Sequence, residues 1–149
     1  MKNPSFEESG KPSGKYWRIA NYPGFQFHNS APEGGGKWSV CLPGDWLGGT
    51  DLPMVYQTVP AIPGKQTYTM ELWARKSTFD GEARLQLITA DTTYSLVTFR
   101  IDSDTWKRYS KTVSLSARDS DSLRVVLLPG TSGLLTSSTC YDLVQLTQR

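Results

Sequence analysis

The sequence predicts an all-β protein, a β-sandwich or jelly roll of two antiparallel sheets, from three observations. Nearly every periodic segment of the 149-residue chain alternates apolar and polar residues. Strong turn pairs separate these segments: Pro63-Gly64, Asp80-Gly81, Pro129-Gly130 and Ser132-Gly133. No segment has the apolar spacing of an amphipathic helix. Short strands with regularly spaced turns are typical of β-sandwiches.

The alternation is clearest between Thr67 and Arg75, where successive side chains must point to opposite faces of a strand. The inward face would carry Tyr68, Met70, Leu72 and Ala74. The outward face would carry Thr69, Glu71, Trp73 and Arg75. Further strands are expected at residues 37–42, 54–59, 84–90, 94–101, 107–115, 122–128 and 141–147. Two long irregular segments, residues 8–37 and 43–53, interrupt this pattern, and loops of this length are often functional.

Length and charge limit the classes of function. We expect residues 1–149 to form one domain. A net charge of +2 without a Lys/Arg run argues against a nucleic-acid partner, and no apolar stretch is long enough to span a membrane. No signal peptide follows Met1, so we expect an excised module of a larger multidomain protein, and a cytosolic protein is the alternative. The expected parent protein is secreted or on the cell surface.

Cys41 and Cys140 are the only cysteines, and His28 is the only histidine. Their spacing fits neither a CxxC motif nor a zinc site. The two thiols could pair, but the preferred expectation is that they are buried and free, because Cys packs as a small hydrophobic residue. His28 lies in a loop without a nucleophile motif, so we expect no enzymatic activity.

Glu7 and Asp142 stand at the margins of the first and last strand-like runs. They meet if these two strands lie side by side. Converging carboxylates repel each other unless a cation or a proton lies between them. The alternative is a pair of solvated carboxylates at strand ends.

Trp73 is the first candidate for ligand contact, because alternation places it opposite the core with Glu71 and Arg75. An exposed indole can stack on a sugar ring while charged neighbours bind its hydroxyl groups. Arg84 and Gln86 are expected on the same face, and Gln57 is a further candidate. The alternative for Trp73 is a core position, or an outer face that only meets solvent.

The aromatic residues of the two irregular segments form a second group of candidates. Trp17, Trp46 and Tyr22 could build a stacking platform at the rim of the sandwich. For Trp17 the preferred expectation is a structural role, as a plug at one end of the sandwich, and ligand contact is the other possibility. Trp38 and Trp106 are expected in the core.

Seven motifs in order along the chain resemble those of xylan- and β-glucan-binding carbohydrate-binding modules, of the family 4, 9 and 22 kind. They are Asn3-Pro4-Ser5-Phe6-Glu7, Trp17, Gly36-Lys37-Trp38-Ser39-Val40, Val55-Tyr56-Gln57-Thr58-Val59, Pro63-Gly64-Lys65-Gln66-Thr67-Tyr68, Thr105-Trp106-Lys107 and Tyr141-Asp142-Leu143-Val144-Gln145-Leu146. The resemblance covers almost the whole chain and implies a jelly roll with a galactose-binding-domain-like fold. It also implies a structural Ca²⁺ ion bound by the side chains of Glu7 and Asp142 and the carbonyl groups of Ser5 and Lys37.

The resulting hypothesis is a monomeric, non-catalytic module that binds a polysaccharide or oligosaccharide, with a plant-type β-glycan as the expected ligand. It would target a neighbouring catalytic domain of the parent chain to its substrate. The alternative is a structural or adhesion domain of the same fold that binds no sugar.

Overall fold

The computed structural model describes residues 1–22, 24–44, 53–130 and 137–149. This part of the chain contains twelve β-strands and no helix that could span a membrane. The strands are β1 (Glu7–Glu8), β2 (Lys11–Pro12), β3 (Arg18–Ala20), β4 (Phe27–His28), β5 (Ser39–Pro43), β6 (Met54–Pro60), β7 (Gly64–Lys76), β8 (Gly81–Ile88), β9 (Thr93–Ile101), β10 (Lys107–Ala117), β11 (Ser122–Leu128) and β12 (Ser138–Gln148).

Two five-stranded antiparallel sheets form a β-sandwich, which confirms the predicted fold class. Sheet 1 has the order β10-β7-β12-β5-β4, and sheet 2 has the order β3-β6-β11-β8-β9. All eight predicted strands are present, as β5 to β12. The strands β1 to β4 were not predicted, because strands of two or three residues are too short to show an alternating pattern.

The core lies between the two sheets and follows the predicted alternation. Sheet 1 contributes Tyr68, Met70, Leu72 and Ala74 of β7, all at most 4% exposed. Sheet 2 contributes Val55, Leu85, Leu123, Val125 and Leu127. Burial of these apolar side chains is the main term that stabilises the sandwich.

Phe6 and Trp17 extend the core into the N-terminal segment. Their ring centroids are 4.8 Å apart, and Trp17 is only 5% exposed. The indole Nε1 of Trp17 donates a hydrogen bond of 2.9 Å to the carbonyl oxygen of Asn3. The prediction that Trp17 contacts a ligand is therefore wrong, because the ring is packed inside the protein and its polar atom is already bonded.

Cys41 and Cys140 form a disulfide bond between β5 and β12, so the preferred expectation of free thiols is wrong. The two residues are register partners in sheet 1. The amide of Cys41 donates to Gln26 on the other side of β5, so this is a non-hydrogen-bonded pair, in which side chains approach closely. His28 lies within 4.8 Å of both sulfur atoms, but oxidised sulfur cannot serve as a thiolate metal ligand.

The N-terminal segment runs beside the last strand, as predicted from the two chain ends. The amide of Val144 donates a hydrogen bond of 2.9 Å to the carbonyl oxygen of Pro4. Between Asp142 and Gln145 the register of β12 shifts, and Leu143 has a φ of 49°. This β-bulge changes the direction of the strand where it meets the N-terminal segment.

Candidate functional site

The structure divides the predicted sugar contacts between two opposite surfaces. Glu71, Trp73 and Arg75 lie on β7, on the outer face of sheet 1. Arg84 and Gln86 lie on β8, on the outer face of sheet 2. The prediction that these residues share one face is therefore wrong, because the chain crosses from one sheet to the other between β7 and β8.

On the outer face of sheet 1, the charges that flank Trp73 already have partners. Arg108, the register partner of Trp73, donates a hydrogen bond of 2.5 Å from Nη2 to Oε2 of Glu71. The guanidinium of Arg75 lies 5.3 Å from the ring centroid of Trp106. Trp106 was expected in the core, but it is only partly buried and lies on this face.

The segment of residues 29–38 lies over part of this face. Ser30 accepts a hydrogen bond of 3.4 Å from the indole of Trp106, and Gly35 packs onto Asp142, the other register partner of Trp73. Beside the segment there is a cavity of about 320 Å³. Its lining includes His28, Arg75, Lys76, Asp104 and Ser138. The surface around Trp73 is therefore partly covered by the protein itself.

The outer face of sheet 2 carries two cross-strand rows of side chains. The first row is Arg18, Tyr56, Val126, Arg84 and Thr98, one residue from each of the five strands. The second row is Thr58, Arg124, Gln86 and Ser95. Because neighbouring strands are about 4.8 Å apart, a row across five strands is about 19 Å long. The rows form a band of mostly polar side chains around one tyrosine, perpendicular to the strands.

One end of this band forms a cleft of about 370 Å³, here called the tyrosine–arginine cleft. It is lined by Tyr16, Arg18, Tyr56, Gln57, Thr58 and Arg124. The guanidinium of Arg124 lies 5.1 Å from the ring centroid of Tyr56, and its Nε donates a hydrogen bond of 3.2 Å to Oγ1 of Thr58. Tyr16 is 51% exposed. The cleft thus combines two tyrosine rings with two guanidinium groups.

Gln57 of β6 was predicted as a ligand contact, but its neighbours Tyr56 and Thr58 were not. Gln57 is only 6% exposed. Its side-chain oxygen accepts a hydrogen bond of 2.8 Å from the amide of Lys2, and its side-chain nitrogen donates one of 3.0 Å to the carbonyl oxygen of Lys2. It therefore fastens the N-terminal segment and is not on the face of Trp73. The outward position of Tyr56 could be predicted from the sequence, because an inward-facing Val55 requires Tyr56 to point outward.

Two other predicted contacts lie away from both faces or outside the described residues. The hydroxyl group of Tyr22 donates a hydrogen bond of 3.0 Å to the carbonyl oxygen of Pro43, and its ring packs against the core. This position does not match the predicted stacking platform. Trp46 lies outside the residues that the structure describes.

Glu7 and Asp142 converge on one site, as predicted. Oε1 of Glu7 accepts hydrogen bonds from the amides of Lys37, at 2.7 Å, and Trp38, at 2.8 Å. Oδ1 of Asp142 accepts a bond of 2.8 Å from the amide of Leu143, whereas its Oδ2 is buried without a partner among the described residues. Burial raises the pKa of Asp142 to about 8, the Leu143 amide opposes this shift, and the charge of Glu7 adds to it.

Two glycines make room for these carboxylates. A Cβ atom at Gly35 would overlap Oδ2 of Asp142, and one at Gly36 would overlap Oε2 of Glu7. The second oxygens of both carboxylates therefore face the glycine backbone from close range. Of the two residues whose carbonyl groups are the further predicted ligands, Lys37 is bonded to Glu7 through its amide, and Ser5 stands two positions before Glu7 in the chain. A hard cation such as Ca²⁺ fits this set of oxygen donors.

The replacement Gly35→Ala should destabilise the protein by about 1–3 kcal/mol, because the added methyl group must displace the Asp142 carboxylate or Pro32. Chemical denaturation would measure the change. Gly24→Ala is the matched control, since a Cβ there meets no atom within 4 Å. Equal stability of the two variants would show that the Gly35 backbone does not hold the carboxylate in place.

Comparisons with known proteins show what fold surrounds these sites. No protein-family model and no curated protein matches the sequence. Solved structures do match, and many of them are carbohydrate-binding modules. The chain has the fold of a jelly-roll carbohydrate-binding module.

Three of these modules illustrate the likeness. The module TmCBM61, solved in complex with β-1,4-galactotriose, is 16% identical with a TM-score of 0.64, covering 100% of this chain and 97% of its own. The N-terminal cellulose-binding domain of Cellulomonas fimi β-1,4-glucanase C is 15% identical with a TM-score of 0.64, covering 95% of this chain and 93% of its own. The CBM22-1 xylan-binding domain of Paenibacillus barcinonensis Xyn10C is 9% identical with a TM-score of 0.63, and the match covers 93% of this chain and 89% of that domain.

Sharing the carbohydrate-binding-module fold, the chain has two outer sheet faces on which a ligand site could lie. Function resides in particular side chains and does not follow from the fold alone. The two faces therefore have to be compared by their own residues.

Proposed function

We propose that this chain is a non-catalytic module that binds a polysaccharide along the outer face of sheet 2. The observation that carries the proposal is the pair of cross-strand rows that includes Tyr56, Arg84 and Gln86. The outer face of sheet 1 supports it less well, because the segment of residues 29–38 lies over part of that face. Arg84 and Gln86 thereby keep their predicted role as ligand contacts.

The chemistry of the band suits an extended sugar chain. Tyrosine rings in the tyrosine–arginine cleft can stack on the apolar face of a pyranose. The side chains of Arg124, Gln86 and Thr58 can bind the hydroxyl groups at its edge. Such a site gives weak affinity, roughly micromolar to millimolar, because few contacts oppose the cost of association.

The ligands of the structural neighbours support the class of ligand. Modules of this fold are described as cellulose-binding, xylan-binding or bound to a β-1,4-galactotriose. A β-linked plant polysaccharide is therefore the first ligand to test. In a secreted or cell-surface parent protein, the module would raise the effective concentration of a catalytic domain at its substrate.

The replacement Tyr56→Ala should weaken glycan binding about tenfold, since loss of one aromatic contact costs about 1.4 kcal/mol. Affinity electrophoresis or calorimetry against xylan, β-glucan and galactan would measure this. Trp73→Ala is the competing variant, on the opposite face. A loss caused by Trp73→Ala and not by Tyr56→Ala would place the site on sheet 1. No binding across the whole panel by the folded protein would favour a structural or adhesion domain.

We further propose that the carboxylate site binds a structural Ca²⁺ ion through Glu7 and Asp142, with the carbonyl groups of Ser5 and Lys37 as additional ligands. Support comes from the buried Oδ2 of Asp142, which has no hydrogen-bond partner in the described chain. A cation there would neutralise two carboxylates and tie the N-terminal segment to β12. Its role would be stability, since neither Glu7 nor Asp142 is among the residues that line the tyrosine–arginine cleft.

A further inference from the structure

The arginines on the outer face of sheet 2 fall into two groups. At the β8–β9 side, Arg84 pairs with Glu82 at 2.5 Å, and Arg100 pairs with Asp80. At the other side, Arg18 and Arg124 line the tyrosine–arginine cleft. Neither Arg18 nor Arg124 forms an ion pair with any residue that the structure describes. Among the described residues, the first group thus has acidic partners and the second group has none.

The surroundings of the cleft add further positive charge. None of the residues that line it is acidic. The ammonium groups of Lys2 and Lys15 lie 4.9 Å and 5.3 Å from the ring centroid of Tyr16. Two acids, Glu7 and Glu8, line a neighbouring pocket with Tyr16. Glu8 pairs with Lys15 at 3.6 Å, and Glu7 accepts hydrogen bonds from the amides of Lys37 and Trp38. An anion entering the cleft would therefore meet Arg18 and Arg124 without an acidic side chain among the described residues that line it.

The guanidinium of Arg124 is also held in place. Tyr56 lies under its plane, and Thr58 accepts the hydrogen bond from Nε. These contacts leave the terminal nitrogens to donate outward, since they make no hydrogen bond to the described residues. Planar guanidinium groups bind carboxylates and other oxyanions through paired hydrogen bonds, which are stronger than bonds to neutral hydroxyl groups.

We propose that the tyrosine–arginine cleft binds the anionic group of an acidic glycan between Arg18 and Arg124, while a tyrosine ring packs against the sugar. The anionic group is a carboxylate, as in a uronic acid, or a sulfate ester. This inference rests on the proposed function, since it names the class of sugar that the outer face of sheet 2 accepts.

The test compares acidic polysaccharides with neutral forms of the same backbone. Polygalacturonate is compared with its fully methyl-esterified form, and a sulfated galactan with its desulfated form, by calorimetry at low and high salt. We expect the charged member of at least one pair to bind roughly tenfold more tightly, as one charge-assisted hydrogen bond can provide. The preference should shrink as salt rises. The pair that shows the preference identifies carboxylate or sulfate as the bound group.

Arg18→Gln and Arg124→Gln should each weaken binding of the acidic form more than binding of the neutral form, so that the ratio of acidic to neutral affinity falls. Arg100→Gln is the matched control, because Arg100 lies on the same sheet but is already paired with Asp80. Equal or tighter binding of both neutral forms would overturn the inference and leave the proposed function intact. Failure to bind any glycan, neutral or acidic, would overturn both.

Discussion

Replacing both Cys41 and Cys140 with alanine should lower the free energy of unfolding by about 4–5 kcal/mol. The bond joins residues 99 positions apart, and cross-linking a loop of about 100 residues removes entropy worth about 4.7 kcal/mol from the unfolded chain. For a domain of this length, such a change lowers Tm by roughly 10 °C or more. Denaturant titration and calorimetry of the two proteins would measure the difference.

The position of the bond in sheet 1 gives a structural reason to expect a large effect. β5 is joined to β12 through four register pairs, and its other neighbour, β4, has only two residues. Without the disulfide, this edge of the sheet depends on few hydrogen bonds.

Reductant provides the control for the cysteine prediction. It should destabilise the wild-type protein and leave the double-alanine variant unchanged. A decrease in the free energy of unfolding well below 2 kcal/mol would contradict this prediction. Either residual pairing of β5 with β12 would then restrain the unfolded chain without the disulfide, or new packing in the folded variant would compensate for its loss.

The part of the fold that the sequence predicts best is the part with a period of two. In β7 the alternation correctly separates Met70 and Leu72, which are fully buried, from Glu71 and Trp73 on the outer face. The alternating pattern indicates whether a side chain points to the core, because only one face of each strand packs against the other sheet.

Alternation does not report which sheet a strand joins. Trp73 and Arg84 both point outward, yet they lie on opposite sides of the sandwich. This difference depends on long-range pairing, of β7 with β10 and β12 and of β8 with β9 and β11. The same limit hid the disulfide, since only the pairing of β5 with β12 places Cys41 opposite Cys140.

Irregular segments gave the least reliable predictions. Trp17 and Tyr22 stand among Gly, Pro and Asn residues, where no period indicates burial. The structure places Trp17 in the core and bonds Tyr22 to Pro43. The convergence of Glu7 and Asp142 could be predicted, because the first and last strands of a compact β domain often lie side by side. The structure adds that Gly35 and Gly36 lie against these carboxylates, where a Cβ atom would overlap them.

The second large effect is expected at the carboxylate site. Calcium at a concentration 100 times its Kd should stabilise the wild-type protein by about 2.7 kcal/mol over the EDTA-treated protein, raising Tm by roughly 5–10 °C. Asp142→Asn should abolish this gain, because it removes a charged ligand. Asp119→Asn, at an exposed position in a turn, should keep it.

The same carboxylate gives the calcium-free protein a distinctive pH dependence. The folded pKa of Asp142 is raised from 3.8 to about 8, mainly by burial, so between these pH values the folded state holds a proton that the unfolded state has lost. Stability in EDTA should therefore fall as pH rises from about 4 to about 8. Glu7, the other acid at the site, adds to this slope by repelling the ionised form of Asp142.

Calcium should counteract that slope, because it binds the ionised carboxylate and competes with the proton. Asp142→Asn should flatten the slope in EDTA and be more stable than the wild-type protein at pH 8 without calcium, since a neutral amide replaces a buried charge. Melting curves at several pH values, with calcium and with EDTA, would show this crossover. Identical curves with and without EDTA, together with no calcium in elemental analysis, would refute the calcium proposal. An Asp142→Asn variant less stable than the wild-type protein in EDTA at pH 8 would show that the ionised carboxylate is stabilising without a metal.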